Sequence, residues 1–145
     1  MNPKIPPPLS ETDLMRQIMV ALSADGHFVA RANVGLFFTK DGRPVKTGLP
    51  VGFSDVFGHR ESDVRAFYLE VKTPNAKPTP KKSRDAKLQE MKEAGFSTIE
   101  LLRADSWMRI GATPDQAQFL TAMKKRKAIA EVVRSVEEAR RALEG

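Results

Sequence analysis

The chain has 145 residues, 41% of them hydrophobic, which is enough to bury one core and predicts a single domain. Its 24 Lys and Arg against 18 Asp and Glu leave a net charge of +6, a surplus that suits a polyanionic partner. The absence of cysteine excludes disulfides, thiolate metal sites and cysteine nucleophiles, and two histidines are too few for a histidine-rich zinc site.

No apolar run approaches the roughly 20 residues of a membrane span, and Met1 to Pro8 lacks the apolar centre of a signal peptide. A reducing, cytoplasmic location is therefore expected. Residues 1–10 read as an extended, proline-rich leader, since N-P-K-I-P-P-P cannot be helical. Ser10 then has the chemistry of a helix cap, with Asp13 three positions on, and Leu14, Ile18 and Leu22 follow at helical spacing up to Gly26. A helix over 11–25 is predicted. The segment from His27 to Val34 alternates like a strand, and residues 35–53 are rich in turn formers, with Asp41-Gly42 marking a hairpin. Ser54 to Phe57 is a short strand candidate and Ala66 to Lys72 (A-F-Y-L-E-V-K) a stronger one, joined by a polar turn over 60–65.

Residues 73–87, with their prolines and lysines, read as an exposed loop; a helix is predicted from about Asp85 to Ala94 and a strand from Ser97 to Leu102. Over 75–95 the basic residues outnumber the acidic by three. Thr113-Pro114-Asp115 is a helix start with proline in the first turn, leading to about Lys127. A strand from Ala130 to Arg134 and a helix from Val136 to Leu143 complete an α/β pattern: a mixed central β-sheet flanked by helices.

The chemistry concentrates at Asp55 and at Glu70-Val71-Lys72. On a strand, residues two apart share a face, so Glu70 and Lys72 point together, with Tyr68 beside them and Leu69 and Val71 opposite. If the strand ending at Asp55 pairs antiparallel with this one, Asp55 approaches Glu70. Two such carboxylates repel, and a hard divalent cation relieves the repulsion. A cation between carboxylates and a phosphate oxygen suits phosphodiester hydrolysis, with Lys72 beside the attacking water or the transition-state charge. The same Glu-x-Lys spacing also occurs as a solvated ion pair of small energetic consequence.

These residues, with others along the chain, resemble the PD-(D/E)xK nuclease superfamily and, within it, the stand-alone VRR-NUC nucleases of phages and bacteria. Glu11 falls where that family has an acidic residue in its first helix. Arg31 to Gly35 (R-A-N-V-G) is similar to its strand exit, and Gly48 to Asp55 (G-L-P-V-G-F-S-D) to its glycine-rich approach to the metal-binding aspartate. Phe67 to Lys72 matches its core strand, Thr113 to Leu120 its glutamine-bearing helix with Gln116 at the glutamine position, and Ala130 to Ala139 its closing strand and helix. The chain departs from the superfamily at Ser54, where many members have proline. It departs again in the length between Lys72 and Gln116, which leaves residues 75–112 as an insertion in a single domain over 11–145.

The resemblance implies a restriction-endonuclease-like core and a Mg²⁺- or Mn²⁺-dependent DNA endonuclease acting on branched or four-way-junction DNA. Glu11, Asp55, Glu70 and the Val71 carbonyl would hold metal, and Asp55, Glu70, Lys72 and Gln116 would be catalytic. It also implies a homodimer, and a bacterial host cytoplasm as the setting of a phage-type protein. Arg31 and Lys46 would meet phosphates or lie in solvent; Lys124, Lys125, Arg126 and Lys127 would track a nucleic-acid backbone or complement a helix dipole. Trp107 is expected to anchor packing in the insertion. Two other readings fit the residues: a catalytically silent DNA-binding module, or a phage protein-interaction factor working through the insertion.

Overall fold

Ser10 opens the first helix as its chemistry requires, its hydroxyl accepting from the Asp13 N–H at 3.1 Å. In the computed structural model, which describes residues 9–32, 36–46 and 48–144 and only the backbone of 36, 37 and 46, this helix is α1 (Glu11–Ala24). Residues 1–8 of the leader expected over 1–10, and Asn33 to Gly35 of the Arg31 to Gly35 exit, lie outside the described residues. After α1 come β1 (Phe28–Arg31), a hairpin of β2 (Leu36–Phe38) and β3 (Pro44–Lys46) around Asp41-Gly42, then β4 (Val56–His59) and β5 (Ala66–Val71). The chain continues through α2 (Lys81–Glu93), α3 (Thr98–Arg109), α4 (Pro114–Lys125), β6 (Ile129–Val133) and α5 (Val136–Leu143).

The main sheet is mixed, in the order β1-β4-β5-β6, with β5 antiparallel to β4 and parallel to β6. A parallel pair needs a long crossover, and α2, α3 and α4 supply it. Alternation along the strands then sorts side chains between two faces. Phe67, Leu69, Val71, Ile129 and Val133 pack with Leu14, Ile18 and Leu22 of α1 and Leu143 of α5. Ala130 and Val132 face the other way, against Leu120 of α4 and Trp107 of α3. A third cluster (Met91, Ala104, Met108, Ala117) joins α2 and α3 to the outer side of α4. No helix among the described residues is long and apolar enough to cross a membrane.

Two expectations over 73–102 are corrected. The segment 81–87, expected as loop, is the start of α2. The strand expected over Ser97 to Leu102 is the first turns of α3. Ser97 and Glu100 form a reciprocal cap, the serine hydroxyl accepting from Glu100 N–H and the glutamate accepting from Ser97 N–H at 2.8 Å. The alternating run misleads because Ile99 and Leu102 face outward, whereas Ala104, Trp107 and Met108 are buried. Trp107 is buried in the second core, as a packing anchor should be.

Candidate metal centre

The β4–β5 register pairs Val56 with Leu69, and one step further the same register sets Asp55 against Glu70. Asp55 lies just before β4, its backbone carbonyl accepting from Ala32 N–H at 2.9 Å and its carboxylate from Val71 N–H at 3.0 Å. Its side chain is thereby fixed at the end of β5. Because N–H and C=O of one strand residue point to the same side, the Val71 carbonyl also opens toward Asp55. Glu11, the first residue of α1, completes the group: one carboxylate oxygen each from Glu11, Asp55 and Glu70 lies within 4.8 Å of the others.

Glu70 is only 1% exposed, and as a carboxylate it finds no hydrogen-bond donor for either oxygen among the described residues. Lys72 Nζ stands 3.5 Å from Glu70 Oε1, a charge contact without hydrogen-bond geometry. Burial, then the Asp55 charge and the hydrogen bond a protonated Glu70 can donate to Asp55, push the Glu70 carboxyl up to about 9 against the pull of Lys72. Burial also raises Glu11, with Lys72 opposing and Asp55 adding. Orphaned buried oxygens in an all-oxygen donor set fit a hard divalent cation, which would offset the desolvation that the protein leaves uncompensated.

Two glycines let the surrounding loops close on this centre. Gly52, at φ +82°, lies against the start of α4, where a Cβ would stand 2.3 Å from the Asp115 carbonyl oxygen. Gly111, at φ +114°, lies under the Lys72 stem, with a hypothetical Cβ 3.5 Å from Lys72 Cδ and 2.7 Å from Ala76 Cβ. A side chain at position 111 would therefore crowd the Lys72 stem and Ala76. Arg31, Gly52, Phe53, Asp55, Thr113, Asp115 and Gln116 line an open cleft of about 540 Å³ beside the carboxylates.

Gln116 reaches the cleft, but its side-chain oxygen caps α4, accepting from Thr113 N–H at 2.9 Å, so its amide nitrogen is the group left to offer a ligand. Tyr68 packs in an aromatic cluster with Phe53 and Phe119, and Phe53 lines the cleft with Asp55. Gly111 stands outside every sequence motif, and Phe53, Phe119 and Thr113 stand only inside longer ones, with no role in the site assigned to them. The Thr-x-x-Gln spacing was the available signal for Thr113, whereas the aromatic cluster needs the tertiary fold. Lys46 closes β3, its side chain outside the described residues.

Lys124, Lys125, Arg126 and Lys127 sit at the far end of α4, a helix of about 18 Å, away from Thr113 and the cleft. Lys124 pairs with Glu131 at 2.5 Å and lies over the Trp107 ring, Lys125 lies over Phe96, and the Lys127 carbonyl accepts from Arg65 at 2.7 Å. Compared with protein families, curated proteins and solved structures, the chain has no match in any of the three.

Proposed function

We propose that the protein is a metal-dependent DNA endonuclease of the VRR-NUC type, built on a restriction-endonuclease-like core. The observation that carries this reading is the buried, donor-less Glu70 facing Asp55 and Glu11, with Lys72 on the same strand face. When bound, Mg²⁺ or Mn²⁺ supplies Lewis-acid polarisation of a phosphate and a more acidic water. Asp55, Glu70 and Glu11 hold the cation, with the Val71 carbonyl as a neutral oxygen beside Asp55. Lys72, paired with Glu70 at 3.5 Å, would donate to the attacking water or to the phosphate oxygen that gains charge. Arg31, on the cleft wall, is placed to meet an adjacent phosphate.

The reading extends to a homodimer, which would carry two such centres for paired cuts in branched DNA. A panel of linear, supercoiled, flapped and four-way-junction DNA with Mg²⁺, Mn²⁺ or EDTA tests it. Cation-dependent cutting is the expected result, strongest on the junction, and a protein inert toward every DNA under both cations would end the reading.

Lys72→Ala is expected to slow cleavage by about 10²- to 10³-fold, the usual cost of removing one transition-state donor. Cation affinity should stay within a few-fold in titration calorimetry, since the ammonium ligates nothing. Complete loss of binding would instead make Lys72 a structural support for Glu70.

Duplex affinity should fall steeply with salt, each neutralised phosphate contributing a slope of about −0.9 in log K against log salt. Replacing Lys124, Lys125, Arg126 and Lys127 together by glutamine measures how far DNA extends along α4. A flatter slope in equilibrium binding places the backbone there, and an unchanged one leaves the run to its contacts with Glu131, Trp107 and Phe96.

A further inference from the structure

The β2–β3 hairpin stands apart from the rest of the fold. Among the described residues, its two strands build extended contacts only with each other, neither with the four-stranded sheet nor with a helix. A two-stranded ribbon has little stability by itself, and this one leaves Phe38 67% and Val45 47% exposed. Its tip is nevertheless well tied: Thr39 N–H donates to the Arg43 carbonyl at 2.9 Å, Gly42 N–H to the Thr39 carbonyl at 2.9 Å, and Arg43 N–H to the Thr39 hydroxyl at 3.0 Å. Gly42 takes the left-handed conformation the turn needs, at φ +84°. On either side in sequence the chain returns to the cleft, through Arg31-Ala32 before the hairpin and Val51-Gly52-Phe53 after it.

We infer that this hairpin is a duplex-engaging arm that enters the DNA major groove while the phosphodiester lies in the adjoining cleft. The inference rests on the nuclease reading for what occupies the cleft. Strands in a ribbon lie about 4.8 Å apart, and the major groove, about 12 Å wide, admits a two-stranded ribbon. At the tip Arg43 pairs with Asp41 at 2.9 Å, and Lys40 leaves the end with one net positive charge. Phe38 and Val45, on opposite faces by the strand register, supply apolar contact of the kind that base edges and thymine methyl groups accept. The other candidate occupant is a second copy of this chain; the net charge of +6 favours a polyanion on this ribbon, and the dimer of the nuclease reading would use another face.

Two variants test it: one with residues 38–45 replaced by two glycines, and Lys40→Glu/Arg43→Glu, which keeps the ribbon backbone and decides the matter if the shortened chain does not fold. Fluorescence anisotropy with a labelled DNA duplex in EDTA is expected to show at least a tenfold loss of affinity in both. Hydrolysis of bis(p-nitrophenyl) phosphate under Mn²⁺, which reads the acidic centre by itself, should persist. Unchanged duplex affinity, or an intact protein that binds no duplex, overturns the arm. So does light scattering in which the shortened variant alone drops to half the mass of the intact protein, because the occupant is then a second copy. Lost duplex affinity with no phosphodiester hydrolysis even in the intact protein keeps the arm and removes the nuclease reading; the converse result keeps the nuclease and removes the arm.

Discussion

Asp55→Asn and Glu70→Gln are each expected to reduce DNA cleavage by about three orders of magnitude or more and to weaken cation binding in titration calorimetry. Each change removes one carboxyl ligand from a three-carboxyl cluster and changes almost no volume. The fold should persist in both, for separate reasons. The asparagine carbonyl can still accept the Val71 N–H that Asp55 accepts at 3.0 Å, and the glutamine at 70 is uncharged in a position buried from water. Circular dichroism separates loss of function from loss of structure. Cleavage at the wild-type rate by either folded variant would rule out this cluster as the reaction centre.

In EDTA the wild-type protein is expected to lose stability as pH rises from about 5 to 9, and Glu70→Gln is expected to remove most of that slope. The folded state raises the Glu70 carboxyl from its ordinary 4.5 to about 9. Between those values the native chain keeps a proton that the unfolded chain has released, so the unfolded state gains on the native one as pH increases. The favourable contribution is complete below the unfolded value and gone above the folded one. At about 1.4 kcal/mol for each unit of displacement, the shift is large enough for Glu70→Gln to exceed the wild type by a few kcal/mol at pH 8 without cation. Saturating Mg²⁺ or Mn²⁺ should then restore the wild type and move the variant much less, with release of about one proton per cation by the wild type near neutral pH, read as buffer-dependent heat. Parallel pH profiles for wild type and variant in EDTA would mean that Glu70 is not the buried acid the structure makes it.

The carboxylate pair was legible because it follows from strand periodicity alone: an acid and a lysine two apart on an apolar strand, and an aspartate entering the antiparallel neighbour. The first and last helices were also legible: Ser10 caps α1, whose apolar spacing is plain, and α5 covers the Val136 to Leu143 read as helix. The middle was not. The run from Ser97 to Leu102 carries both a serine-glutamate cap and an alternating apolar pattern, and only the packing of Ala104, Trp107 and Met108 decides between them. Gln116 shows a related limit. Its spacing from Thr113 gives a helix cap, its place in the fold gives a cleft residue, and the two roles use different atoms of one amide. Gly111 was beyond sequence reading, because the lysine stem it accommodates lies at the other end of the crossover.

The three acidic groups are contributed by the first turn of α1, the residue leading into β4 and the interior of β5. Asp55 and Glu70 meet as soon as neighbouring strands zip together, but Glu11 joins them only after the helix has docked across the sheet. A divalent ion bound there would therefore meet all three carboxyl groups only in the finished chain and could not serve as a scaffold for reaching it. Such an ion would select the completed fold and prolong its lifetime, leaving the chain's search for that state to its apolar residues.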